Sequence, residues 1–261
     1  MKLEAIRSPR RVKRALIVNA DDLGRTVGIN DGIFEAHEKG IVSSATLMVG
    51  FDAAHDAAAR LVDHPKLGVG LHVTLTGARP TLPPERVPSL VDAAGNFPRK
   101  PEEVVGFIAE EVLAEIRNQL ELFRDLIGRL PTHLDSHHHS HRLPVVLDAV
   151  IAVASEHALP VRRSSDRIAE RLHDARLSTS STFTESFFGK GATIEHLREI
   201  AASFPPGTHE LMCHPGYADA ALRRESGYSD ARDAEIRVLC DPAARAALRA
   251  AGLKLVHFGN R

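Results

Sequence analysis

The run PTHLDSHHHSHRLP packs five of the chain's 15 histidines, His133, His137, His138, His139 and His141, into nine residues. Imidazole is the side chain that most often combines metal ligation with proton transfer near neutral pH. The run opens as a short strand, where alternate side chains share a face. His133, Asp135, His137 and His139 then project together, and His138 turns to the other side in a structural role. Pro144 next introduces an apolar stretch, LPVVLDAVIAVA, with helical character. A polar cluster between a strand end and a helix is where α/β enzymes keep their chemistry.

Other strand ends offer residues of the same kind. NADDLG (19–24) closes an apolar run with two adjacent carboxylates, Asp21 and Asp22. Neighbours in a regular strand face opposite ways, but a bend at the strand end lets both reach one pocket. Like charges this close are costly unless a cation or proton compensates them. A helix cap or turn is the plainer account of an isolated Asp pair. GLHVTLTG places His72 near a third strand end, and ELMCHPG places His214 before a Pro-Gly turn, with Glu210 four residues upstream. Arg162, in LPVRR, adds a cation at a further strand end; it or Glu210 could equally belong to a structural ion pair. Converging strand ends that supply two imidazoles and a carboxylate suit a divalent catalytic metal with open positions.

The elements that must position these residues alternate along the chain. Strand-length apolar runs ALIVN (15–19), SSATLMVG (43–50), LGVGLHVTL (67–75) and PTHLDSH (131–137) come first, with helical patterns at 28–40 and 52–64 between the first three. Weaker candidates follow at 160–164, 176–182, 208–214 and 253–259, with helices around 193–204, 230–240 and 242–251. Alternation of this kind predicts a mostly parallel sheet. Eight candidates in 261 residues predict a single-domain distorted (β/α) barrel, TIM-barrel-like, over 1–261. A doubly wound open sheet is the competitor, weakened by the absence of GxGxxG after a strand. The Pro- and Gly-bearing segment 76–100 breaks the rhythm and reads as a long ordered loop, a lid or substrate wall. A helix over about 101–128 carries Val104, Ile108, Val112, Ile116, Leu120 and Phe123 at helical spacing, a core-facing stripe or else a dimer face.

Composition excludes several classes. A formal net charge of −1 argues against an electrostatic nucleic-acid binder. No apolar run approaches the roughly 20 residues that span a bilayer. The start lacks the apolar segment of a secretory signal, so a cytoplasmic protein is expected. The basic RSPRRVKR reads as part of a solvated lead-in over 1–13. Cys213 and Cys240, the only cysteines, have neither metal-knuckle nor disulfide spacing and read as small fillers. There is no tryptophan, so stacking against a flat ligand falls to ten Phe and two Tyr.

In this order and on these strands, NADDLG, GLHVTLTG, THLDSHHHSH and CHPG resemble the YdjC-like carbohydrate deacetylases, which include chitooligosaccharide deacetylases. The resemblance runs from about residue 14 to 258. It implies a distorted (β/α) barrel, a homodimer, and one divalent ion per subunit, Mg²⁺ or Zn²⁺, held by Asp22, His72 and His137. It implies Asp21 as general base and His214 as general acid. The reaction is then hydrolysis of the N-acetyl group of a sugar, with a protonated histidine serving the departing amine. Asp135 would orient a ligand imidazole. His139, His141, Arg162 and Glu210 would support the site or line it. The VPSLVDAAGNF loop is similar to that of a lipid-modifying branch associated with hopanoid biosynthesis, while the histidine run is similar to the oligosaccharide branch. Both an oligosaccharide and a glycolipid therefore stand as substrates. Two other readings remain: a phosphoesterase, expected to hold two metals and more phosphate-binding cations, and a catalytically silent sugar- or metal-binding barrel.

Overall fold

The computed structural model describes residues 14–260. The lead-in 1–13 lies outside them, apart from the last residue of RSPRRVKR, Arg14. That residue opens the first strand, β1 (Arg14–Leu23). Its guanidinium donates to the carbonyls of Ala201, Phe204 and Ala251. These close two helices, α6 (Ile194–Ser203) and α9 (Pro242–Ala250). A cation at helix C-termini is favoured by the dipole and by the unpaired carbonyls there.

From Leu16 onward β1 is wholly buried, because it is the middle of the sheet. One edge carries β2 (Ser44–Leu47) and, at its start, β7 (Lys254–Leu255). Its other edge pairs with β6 (Gly207–Cys213) from Arg14 to Ala20. The strand order is β4-β3-β2-β1-β6-β5, with β3 (Gly68–Val73), β4 (Leu134–Ser136) and β5 (Thr182–Thr184) completing a seven-stranded sheet. Every pairing is parallel, as crossover helices require. The predicted barrel is therefore present as a curled half-barrel. The candidate at 160–164 does not become a strand; it contributes one bridge, Val161 to Leu134, beyond β4.

The helices read in the sequence are present, one of them shifted, and two short ones are added. α2 (Ala53–Leu61) falls within the pattern read for it, and α1 (Val27–Glu38) starts one residue ahead of its own. α4 (Pro144–His157) starts on Pro144, and α5 (Asp166–Asp174) follows it. The long helix α3 spans Ala109–Ile127 rather than 101–128. Pro101 starts a separate short 3₁₀ turn, Pro101–Glu103, and Val104 and Ile108 fall outside the helix. Val112, Ile116, Leu120 and Phe123 are buried, which makes the stripe part of the core. α3 also holds the 76–100 loop. Glu115 accepts from the backbone N–H of Thr81 and Leu82 and from the Thr81 hydroxyl. Glu111 accepts from the Ser89 N–H, and Leu82, Val87, Leu90 and Phe97 are buried.

Two short helices, α7 (Ala220–Glu225) and α8 (Asp230–Cys240), cover the chain after β6. Here α1 touches backbone with backbone. A Cβ on Gly32 would lie 2.5 Å from the Cα of Gly216, in the turn after His214. Glycine to alanine inside a helix ordinarily stabilises by up to about 1 kcal/mol. Here the added methyl meets backbone that cannot rotate away, and overpacking costs roughly 1–3 kcal/mol. Gly32→Ala should lower Tm by a few degrees in a thermal melt; a rise in Tm would refute this close approach.

Candidate active site

Between Ala20 and Leu23 the register of β1 against β2 shifts. Asp21 and Asp22 lie in that irregularity, and Asp22 adopts a left-handed backbone, φ 71°. An irregular strand re-aims side chains, so two adjacent carboxylates line the same cleft instead of opposite faces. The cleft has a volume of about 370 Å³ and opens at the C-terminal ends of the strands.

Asp22 Oδ1 lies 3.1 Å from His137 Nδ1 and 3.4 Å from His72 Nε2. The three residues are buried, and their ligand-type atoms lie within 4.8 Å of one another. With metal–ligand bonds near 2.1 Å, ligand atoms sit about 3.0–3.4 Å apart in octahedral or tetrahedral geometry. Asp22 Oδ1 is buried without a hydrogen-bond partner. The donor set therefore fits a divalent ion. His72 is oriented from behind, since its Nδ1 meets Asp135 Oδ1 at 2.7 Å, leaving Nε2 to face Asp22. Thr46 Oγ1 donates to the other oxygen of Asp135 at 3.0 Å. Burial lowers the basicity of His72, but Asp135, Asp22 and Asp21 outweigh it and raise the ring to about 10. Burial instead takes His137 down to about 4, against the pull of Asp22, so its ring is neutral at pH 7.

Beneath this cluster lies Arg162, fully buried. Its Nη1 and Nη2 donate to the two oxygens of Asp21, each at 2.7 Å, and its Nε to Glu210 at 2.6 Å. Nη1 also lies 2.8 Å from Asp135 Oδ2. Asp21, His72 and Asp135 form a second group with metal-ligand spacing, but the guanidinium already bridges its two carboxylates. Burial raises Asp21, yet Arg162 outweighs it and holds the carboxyl below the usual range. Glu210 goes the other way. Burial pushes it up to about 7 despite Arg162, because Asp135 and Asp21 share the same cation and repel it.

The histidine run divides. His137 joins the Asp22 cluster, and His138 and His139 also line the cleft. Both of the latter have left-handed backbones, so the strand alternation expected for His138 does not apply. His138 Nδ1 meets Thr76 Oγ1 at 3.1 Å, the contact of the 76–100 loop's first residue with this site. His139 Nε2 meets Glu185 at 2.8 Å. His141 is placed behind the cleft, fully buried, with its ring nitrogens on the hydroxyls of Ser136 and Ser164. His133 stacks on Phe258, away from the cleft.

His214 lines the cleft from β6, and its backbone N–H donates to Glu235. Burial lowers its ring to about 4, with Arg232 opposing a second positive charge. The resting histidine is thus neutral. The sequence reading missed the wall around it. Arg232, on α8, donates to Asp22 Oδ2, the oxygen turned away from the two imidazoles. Tyr228 donates to Glu235, and its ring stacks on Phe188. Nothing in the spacing of these residues marks them, since an Arg and a Glu on a helix read as a solvated face.

Fold and site together define a (β/α) half-barrel with a candidate metal centre at its mouth. The model of the YdjC-like protein family matches residues 15–250, and the chain belongs to that family. It is 42% identical to a carbohydrate deacetylase of Geobacillus stearothermophilus over 246 residues, 94% of this chain and 97% of the relative. It is 36% identical to a chitooligosaccharide deacetylase of Yersinia pestis over 256 residues, 95% and 99% of the two chains. A solved structure from Enterococcus faecalis, described as a candidate cellobiose-phosphate cleavage protein, matches with a TM-score of 0.88 at 32% identity over 94% of this chain and 98% of that one. A family 4 carbohydrate esterase of Streptomyces lividans matches with a TM-score of 0.53 at 10% identity over 92% and 90%, a likeness of fold alone.

Glu210 supplies a test of this electrostatic arrangement. Folded, it keeps its proton up to about 7, whereas an ordinary glutamate releases it near 4.5. Between these values the folded state binds more protons, so the group's contribution to stability falls as pH rises from about 4.5 through 7. Glu210→Gln fixes the neutral form. It should leave Tm within about 2 °C of the parent at pH 6 and flatten the decline between pH 6 and 8. A Tm loss of roughly 10 °C at pH 6 would mean that Glu210 is ionised there.

Proposed function

We propose that this chain is a metal-dependent carbohydrate N-deacetylase, hydrolysing the acetamide of an N-acetylated sugar to acetate and the free amine. The observation that carries the reading is the Asp22–His72–His137 cluster with Asp21 beside it in one cleft. The named activities of the relatives support the sugar amide as substrate. Asp22, His72 and His137 would hold the ion, Mg²⁺ or Zn²⁺; the two imidazoles favour the latter. Bound there, it supplies Lewis-acid polarisation of a carbonyl and a lowered pKa for water.

The protein groups carry the protons. Asp21, kept ionised by Arg162, accepts the proton of the attacking water. As the C–N bond breaks, the amine nitrogen needs a proton, and His214 is placed to deliver it. Because His214 rests neutral, it takes a proton from solvent as negative charge builds on the reacting carbonyl oxygen, and Asp21 gives the water's proton back to solvent as acetate leaves. Arg162 and Asp135 hold Asp21 and His72 in place. His139, with Glu185, borders the substrate's space. No described helix is long and apolar enough to cross a membrane; the expected homodimer and cytoplasmic location do not enter this mechanism. The phosphoesterase reading is the weaker one, because Arg162 fills the position a second metal would need.

Wild-type protein should release acetate from N-acetylglucosamine oligomers and stop when a chelator is added. Hydrolysis of a phosphoester, with no acetate from any N-acetylated sugar, would sink the assignment. Asp21→Asn should lower turnover by about 10²–10⁴-fold while one metal per chain remains bound. Metal loss in that variant would instead make Asp21 a ligand. His72→Ala and His137→Ala should each lose metal by atomic absorption, and unchanged stoichiometry in both would refute the ligand set.

A further inference from the structure

Large apolar side chains exposed among the described residues include Val27, Val62, Val105, Ile108, Leu130, Phe188 and Tyr217, and of these only Phe188 lines the active-site cleft. Its ring is held there by its neighbours in sequence and space. Phe187 is fully buried, and the backbone at Phe188 is extended, so the next side chain turns to the opposite side, where 45% of it is exposed. One ring face is covered by Tyr228, stacked at 4.0 Å between centroids and 13° between planes. Tyr228 cannot swing aside freely. Its hydroxyl donates to Glu235 and accepts the N–H of Gly189, the residue after Phe188. The Phe188 ring also meets His214 edge-on at 5.5 Å.

We propose that Phe188 is the platform on which the pyranose ring of the substrate stacks; this rests on the deacetylase reading and says which sugar surface the cleft selects. A pyranose has an apolar C–H face and a polar hydroxyl edge. A fixed aromatic ring with one covered face suits the first. Glu185, three residues upstream and held by His139 and Arg142, offers a carboxylate to the second. The contact of Phe188 with His214 places the sugar on the side where the amine departs, leaving the acetyl group to reach the Asp22 cluster. Phe188 is thus a specificity-determining residue, and it discriminates against substrates whose faces carry axial hydroxyls.

The chain has no tryptophan, so Phe188→Trp introduces a sole indole at the platform. In metal-loaded protein also carrying Asp21→Asn to prevent turnover, titration with an N-acetylglucosamine trimer should shift or quench its emission saturably. Phe188→Ala should weaken binding about three- to tenfold by calorimetry. In otherwise wild-type enzyme it should raise KM by a similar factor with a smaller change in kcat, and Phe188→Tyr should restore both. Sugar binding without an emission change, or unaltered affinity in Phe188→Ala, overturns the platform even if acetate is released. An emission response with no acetate from the parent enzyme upholds the platform and overturns the deacetylase reading. Neither response nor acetate overturns both.

Discussion

The site depends on one buried guanidinium. Arg162 uses all three of its nitrogens, binding Asp21 through two, Glu210 through the third and Asp135 through one it shares with Asp21. Three carboxyl groups from separate strands would otherwise crowd one another in a buried region. The planar fork matches carboxylate geometry in a way an ammonium does not, so lysine could not replace it. Removing one member of such a buried set typically costs about 3–5 kcal/mol, because the remaining charges are left unpaired. The residue is aimed by little backbone structure: a single bridge at Val161 and the Arg162 N–H on the Leu134 carbonyl.

From Arg162 the ordering passes outward. Asp135 orients His72, His72 faces Asp22, and Arg232 fixes Asp22 from the opposite side. Asp21, Asp22 and Asp135 are all held below the usual carboxylate range, and three guanidiniums, Arg162, Arg232 and Arg25, oppose them. Glu210 and Glu235, both raised to about 7, add little charge below neutrality. A divalent ion in place of the proton on His72 would add one positive charge to the cluster. That is the sign that favours a reacting oxygen gaining negative charge over a neutral amide, which is the requirement for electrostatic catalysis.

Much of this floor was legible in the sequence, because parallel strands deliver their last residues to one end and the ligand types sat there. Asp21, Asp22, His72, His137 and His214 are brought into one cleft. What the sequence hid has physical reasons. Strand periodicity assigned His138 to the far side, but the chain had already left the strand at Ser136. The candidate strand at 160–164 is reduced to a bridge because it lies at an open edge. Arg232, Glu235 and Tyr228 come from a helix and the turn before it, packed against the sheet only after folding. Their roles come from long-range contact, and no local period encodes it.

Backbone strain is concentrated at the same place. Five described non-glycine residues have positive φ, and three of them, Asp22, His138 and His139, line the cleft. Each such conformation costs of order 1–3 kcal/mol and persists only where the surroundings over-determine it. Those surroundings are visible: Arg232 on Asp22, Thr76 on His138, Glu185 on His139. All three restraints come from residues outside the strands that end at this cluster. The strands set where the carboxylates and imidazoles emerge, and the loops and α8 set the angles at which they meet. A relaxed backbone at Asp22 would return its side chain to the strand alternation and point it away from Asp21, so the strain is what makes two adjacent aspartates serve one cleft.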